Sequence, residues 1–213
     1  MPFANAYKIR TKKDNLFLRV TPGHFATSHS HINYFIDVTA QKTRLSEAAA
    51  VAQELVSYYA STTVVDTILC LDGTQVIGTC LAEELTKGNF INLNAHGTIY
   101  VLAPEYTSSS QIIFRDSVVP MIAGKNVLVL AASVVTGYTA KSAFEAIKYY
   151  GGTVAGIASI FATVENCMGY PVQSVFDPND LPGYETHSSH DCPLCRAGKK
   201  IDALVNSFGF SKL

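Results

Sequence analysis

Hydrophobic and polar positions along this chain follow two periods in alternation. Residues 126–132 form a short, nearly continuous apolar run, Asn-Val-Leu-Val-Leu-Ala-Ala. Such a run predicts a strand buried on both faces. A stretch rich in hydroxyls follows, Ser133 to Thr139, with Gly137 inside it. Hydroxyl residues and glycine mark the place where a helix begins. Ala140, Ala143, Phe144 and Ile147 then recur at i, i+3, i+4 and i+7, one apolar face of a helix. Gly151 and Gly152 stop that helix, and residues 153–161 predict the next strand. A strand–helix–strand unit of this kind is almost always a right-handed parallel crossover.

The rest of the chain reads in the same way. Residues 16–20 predict a strand ended by Thr21-Pro22-Gly23, and residues 24–37 a histidine-rich loop that turns aromatic. Residues 45–59 predict a helix capped by Ser46. Residues 64–71 predict a strand, Asp72-Gly73-Thr74 a turn, and residues 75–87 a helix closed by Gly88. Two short strands are expected at 90–94 and 98–102. Residues 104–121 are polar and long enough to form a mobile lid. Residues 172–176 predict another strand, 177–183 a loop, and 198–208 a short helix with Ile201, Leu204 and Val205 on one face.

Composition narrows the class. The chain has 213 residues, enough for one α/β domain with an elaboration. Lys+Arg 16 against Asp+Glu 17 gives a formal net charge of -1, which excludes the strongly basic surface that bulk nucleic-acid binding requires. No apolar run approaches the roughly 20 residues of a membrane span. The first residues lack the apolar core of a signal peptide, and five cysteines, an odd number, fit a reducing compartment. The expected location is therefore the cytoplasm, although Ser211-Lys212-Leu213 matches the peroxisomal address.

Two stretches carry candidate chemistry. The turn Thr136-Gly137-Tyr138-Thr139 falls beyond the carboxyl end of a predicted strand, where open α/β sheets bind ligands. N–H groups at a helix start attract an anion, and phosphate is the natural ligand; capping of the helix by Thr136 or Thr139 is the alternative. Cys192 and Cys195 have the spacing of half a tetrahedral zinc site, which His187, His190 or a partner subunit would have to complete. His29 and His31 would share one face of an extended segment, with no third ligand nearby in sequence.

Strand, hydroxyl-containing turn with Thr-Gly-x-Thr, then helix resembles the phosphoribosyl-pyrophosphate loop of the type I phosphoribosyltransferases. The order of elements, the loose match of residues 23–37 and the Cys-Pro-x-Cys tail are most similar to the orotate enzymes. The resemblance implies a parallel-sheet α/β core at about residues 40–165, flanked by helices. It implies a small hood from about 1–40 and 166–213, the whole forming a single domain over 1–213. It implies that Ser133, Thr136, Gly137, Tyr138 and Thr139 hold a ribose 5-phosphate, and that Asp72, Gly73 and Thr74 form the pyrophosphate loop. Arg115, in the predicted lid, becomes the candidate catalytic cation for the leaving pyrophosphate. Mg²⁺ as cofactor, a phosphorylated small molecule or nucleotide as ligand, and a homodimer follow as expectations. So does transfer of 5-phosphoribosyl from phosphoribosyl pyrophosphate to orotate or another base. Where the family carries two adjacent acidic residues for the ribose hydroxyls, this chain has Ala131 and Ala132. The alternative is therefore a catalytically weakened protein that binds a nucleotide or phosphoribosyl ligand as a regulator.

Overall fold

The computed structural model describes residues 5–10, 16–87 and 92–213. In chain order it opens with strands β1 (Tyr7–Arg10), β2 (Phe17–Ala26) and β3 (His31–Asp37), then helices α1 (Thr39–Thr43) and α2 (Leu45–Tyr59). Strand β4 (Thr67–Cys70), helix α3 (Gln75–Thr86), strand β5 (Tyr100–Leu102) and the short strands β6 (Glu105–Tyr106) and β7 (Ile112–Ile113) follow. Strand β8 (Asn126–Val134), helix α4 (Tyr138–Tyr149) and strand β9 (Thr153–Ala162) come next. The chain ends with β10 (Asn166–Cys167), β11 (Tyr170–Phe176), β12 (Thr186–His187), α5 (Pro193–Arg196), β13 (Ala203–Asn206) and β14 (Gly209–Lys212).

These elements form two units. One comprises Gln41–Val175, the other Met1–Ala40 with Phe176–Leu213. In the first, the strand order is β10-β11-β9-β8-β4-β5, with β5, β4, β8 and β9 all parallel. The period-2 alternation divides the sheet into two faces. Leu69, Leu71, Val127, Val129 and Ala131 pack with Ala140, Ala143, Phe144 and Ile147 of α4. On the other face, Gly78 of α3 comes so close to β4 that a β-carbon there would meet Cys70 Sγ at 2.3 Å. Tyr59 of α2 donates its hydroxyl to Ile157 O at 2.8 Å, anchoring that helix to β9. Register between β4 and β8 is pinned at one end by Asp66, whose Oδ2 accepts from both Asn126 N and Asn126 Nδ2 at 2.8 Å.

In the other unit the order is β12-β3-β2-β13-β14, with β1 also on β2. Phe25, Ile32, Phe35, Ala203 and Val205 are buried together in one of its clusters.

Several expectations change. The strand at 16–20 does not end at Thr21-Pro22-Gly23, because β2 continues to Ala26 with a register shift between Pro22 and Phe25. Its partner β1 reaches only to Val20 and β13 begins at Phe25, so the proline lies in a gap that asks for no ladder bond on that side. The histidine-rich loop is therefore largely hairpin. Residues 203–212 form a hairpin where a short helix was expected: Ala203 and Val205 are buried while Leu204 is exposed, a period of 2. Ser46 does not cap α2; the cap position is Arg44, without a side-chain bond. Residues 92–94 form no strand: Asn94 is fully buried and its side chain bonds Val65 N and Thr63 O. Gly88 and the segment 90–91 lie outside the described residues. Residues 166–175, read as hood, sit in the first unit, where β10 and β11 extend its sheet. The predicted lid is partly ordered, since Ile112 and Phe114 are buried in the α4-side core.

Candidate functional site

Parallel neighbours put the turns after β4 and β8 at the same carboxyl edge, with Cys70 opposite Leu130. After β4 the chain turns through Asp72 (φ 57) and Gly73 (φ 78), and Thr74 N returns to Leu71 O at 3.1 Å. Consecutive left-handed residues are the reason for Asp-Gly here, since both tolerate positive φ better than bulkier side chains. Thr74 is fully buried, with Oγ1 2.8 Å from Leu71 O and 3.0 Å from Leu130 O, so it ties the turn to β8 and is not exposed to a ligand.

After β8 the turn is held from below. Thr163 N donates to Val134 O at 3.0 Å, and Thr163 Oγ1 to Val135 O at 2.9 Å. Gly137 occupies the cap position of α4 with φ 72, and a β-carbon on it would meet Cys167 Sγ at 3.2 Å. The cap position of α4 is thus taken by a glycine and by neither Thr136 nor Thr139. Ser133, Thr136, Tyr138 and Thr139 are exposed around the start of the helix. The first-turn N–H groups and the positive end of the α4 dipole therefore sit among exposed hydroxyls. That arrangement suits an anion.

A cation and a carboxylate stand at the same edge. Lys42, nearly buried, reaches from α1 and donates Nζ to Asp72 O at 2.8 Å. Asp72 Oδ2 lies 3.4 Å from Ala132 N. The Tyr106 hydroxyl is raised above its ordinary pKa, by burial first and then by the negative charge of Asp72. Lys42 and Tyr106 were missed in the sequence. Lys42 reads there as an ordinary surface lysine 30 positions before the turn it meets.

Ala131 and Ala132 are 2 % and 1 % exposed. Ala131 belongs to the core on the α4 side. Arg115 lies on the segment after the β6–β7 hairpin and is engaged by Glu105, with Nε and Nη2 2.9 and 2.7 Å from Oε2. This pair is exposed; the guanidinium holds the Glu105 carboxyl below the ordinary carboxylate range. Cys192 and Cys195 belong to the other unit, where they stand with His24 and His31. His187 instead pairs with Glu185, and His29 is exposed.

Together these features define an α/β protein with two glycine-containing turns at the carboxyl edge of a parallel sheet. Solved structures of similar fold include phosphoribosyltransferases. One is the orotate phosphoribosyltransferase of Mycobacterium tuberculosis H37Rv, 18% identical, covering 78% of this chain and 93% of that one at a TM-score of 0.54. Another is UMP synthase of Leishmania donovani, 18% identical, covering 76% of this chain but 34% of that one at 0.55. A third is the adenine phosphoribosyltransferase of Thermoanaerobacter pseudethanolicus, 14% identical, covering 81% of this chain and 95% of that one at 0.50. No family model and no curated protein matches the chain. Among the described residues no helix is long and apolar enough to cross a membrane.

Proposed function

We propose that this protein binds a 5-phosphorylated ribosyl ligand of the phosphoribosyl pyrophosphate class at the carboxyl edge of its parallel sheet, and that it is related to enzymes transferring that group to orotate or another nitrogenous base. The observation that carries the reading is the turn 136–139. It opens α4 with a glycine at φ 72 and exposed hydroxyls on both sides. The 5-phosphate takes the N–H groups of Gly137, Tyr138 and Thr139 with the hydroxyls of Ser133, Thr136 and Thr139. The diphosphate lies toward the turn at Asp72 and Gly73, which Thr74 holds from beneath, and there the Lys42 ammonium adds positive charge. The Mycobacterium tuberculosis orotate phosphoribosyltransferase, similar in fold, has been solved in complex with inorganic phosphate.

Mg²⁺ fits this edge in one mode. Magnesium is commonly held by one or two carboxylates together with ligand phosphates. Asp72 supplies the carboxylate here. When bound, the ion neutralises charge developing on the departing diphosphate. The chain's own contribution is to orient the phosphates by N–H groups and to place Lys42 beside them.

A second reading rests on Ala131 and Ala132. Buried methyl groups cannot accept hydrogen bonds from the ribose hydroxyls. Under this reading the protein holds the ligand without turning it over, as a regulator. Under both readings we propose a cytoplasmic homodimer.

Thermal-shift and calorimetric titrations with inorganic phosphate, phosphoribosyl pyrophosphate and nucleoside monophosphates, each with and without Mg²⁺, test the proposal. Saturation at about 100 times Kd stabilises the protein by about 2.7 kcal/mol. Binding of the diphosphate donor that is lost in Gly137→Val supports the site. A liganded crystal structure with this turn empty and another site filled overturns it.

A further inference from the structure

His24, His31, Cys192 and Cys195 bring four ligand atoms within 4.8 Å of one another. His24 Nε2 lies 3.2 Å from His31 Nδ1 and 3.6 Å from both Cys192 Sγ and Cys195 Sγ. Cys195 Sγ lies 3.2 Å from His31 Nδ1. A tetrahedral zinc with bonds of about 2.3 Å to sulfur and about 2.05 Å to nitrogen has N–N edges of about 3.3 Å and N–S edges of about 3.6 Å. The observed separations follow those edges, with one N–S edge shorter. From this we infer that the unit formed by the two terminal segments contains a structural zinc site of the Cys₂His₂ type.

Local structure presents each ligand. The tight turn at Thr27–Ser30 sets His31 opposite Ala26 on the paired strands, and His24 precedes Phe25 on the same hairpin. Cys192 caps α5 and Cys195 lies in it, so the Cys-Pro-Leu-Cys turn aims both thiols one way. His24 Nδ1 lies 2.8 Å from Lys199 O. A carbonyl only accepts, so Nδ1 carries the proton and the Nε2 lone pair faces the cluster. Metal-bound imidazoles are oriented by this kind of outer bond. His24 is held a second way: its N–H donates to Asp202 Oδ2 and its carbonyl accepts from Asp202 N, each at 2.7 Å. Gly23 permits that approach, since a β-carbon there would meet Asp202 Oδ2 at 2.8 Å.

The chemistry selects the ion and its role. Two thiolates neutralise a divalent cation, and a mixed sulfur and imidazole set in tetrahedral array favours zinc. Four protein ligands leave no open position, so the site is structural. It joins positions 24 and 192, which are 168 residues apart. A metal that ties such distant segments contributes its binding free energy to folding.

Elemental analysis of the full chain, purified under reducing conditions, tests this. The expected result is one zinc per chain, and both Cys192 and Cys195 protected from a thiol reagent until a chelator is added. X-ray absorption of the wild-type protein should give two sulfur and two nitrogen neighbours, and it keeps the test decisive if variants fail to fold. Cys195→Ser and His31→Gln should lower zinc affinity by more than the ~10–100-fold that loss of an outer partner costs. His29→Gln and His190→Gln should leave it unchanged. A metal-free wild type that takes up no added Zn²⁺, a Cys192–Cys195 disulfide in the reduced preparation, or equal losses in the His29 and His190 variants would each overturn the inference.

Discussion

The turn at 136–139 and the cluster at 24, 31, 192 and 195 are both built from a few polar residues on a glycine-bearing scaffold, yet they are put together in opposite ways. The turn is contiguous. Its strand, glycine and helix follow one another, and its partners Thr163 and Cys167 come from the segment just after β9. The cluster is assembled from two chain ends, and only its Cys-x-x-Cys half is local. A contiguous site can keep its geometry through local backbone bonds. A dispersed site has its geometry only once its unit has folded, so ligand binding and folding become one equilibrium there.

The largest expected effect breaks the comparison on the dispersed side. Chelation of the wild-type protein, or Cys192→Ser, should abolish cooperative melting of the terminal unit. Apparent zinc binding in small structural sites amounts to about 10–16 kcal/mol, comparable with the stability of a whole domain. Calorimetry with and without chelator checks this. An unchanged melting profile in protein verified to have lost its metal would separate the cluster from stability.

On the contiguous side, Gly137→Val should cost about 1–3 kcal/mol, because a β-branched residue at φ 72 is strained and its β-carbon crowds Cys167 Sγ. Phosphate binding should be lost with it. Urea denaturation and phosphate titration on the same variant read the two effects. Retained phosphate affinity in a folded variant would place the anion elsewhere.

The contrast also explains what the sequence made legible. Strands β8 and β9 and helix α4 were readable because a buried parallel strand is apolar throughout and an amphipathic helix repeats at i, i+3, i+4. The α4 face of Ala140, Ala143, Phe144 and Ile147 is buried as its spacing requires. Local periodicity failed for residues 203–206, where Leu204 and Val205 suit a helical face as well as a strand. Pairing with Phe25 and Ala26 on a distant strand decides that case. His24 and His31 were unreadable as partners of Cys192 and Cys195 for the same reason: topology sets their distance, and spacing along the chain does not. Lys42 was hidden likewise, since a lysine's reach to Asp72 O depends on where α1 lies.

Turnover sharpens the reading of the contiguous site. Charged acceptors for the ribose hydroxyls contribute about 1.5–3 kcal/mol per hydrogen bond, or one to two powers of ten each. Ala131 and Ala132 offer none through their side chains. Formation of orotidine monophosphate should therefore run at least about 100-fold below that of a phosphoribosyltransferase with two acidic residues there. A steady-state assay with saturating donor and Mg²⁺ decides it. An ordinary enzymatic rate would mean that Asp72 or another group has taken over those contacts.

The smallest expected effect concerns Arg115. Its guanidinium is engaged by Glu105 on an exposed hairpin, so removing the pair should leave the melting temperature nearly unchanged. The pH dependence has a definite sign. Glu105 is held below the ordinary carboxylate range by Arg115. A carboxyl lowered in the folded state contributes stability above its unfolded value, near pH 4.3, and loses it as the pH falls through the folded value. Any contribution should thus vanish in acid and shrink with salt. The informative readout is donor binding. If Arg115 leaves Glu105 to meet the diphosphate, the carboxylate competes with the ligand. Glu105→Gln should then tighten phosphoribosyl pyrophosphate binding by a few-fold, and Arg115→Ala should weaken it, roughly the scale of one exposed charge contact. Titrations of both variants at two salt concentrations test this. Equal affinity in wild type, Glu105→Gln and Arg115→Ala would remove Arg115 from the site, leaving Lys42 as the cation beside the diphosphate.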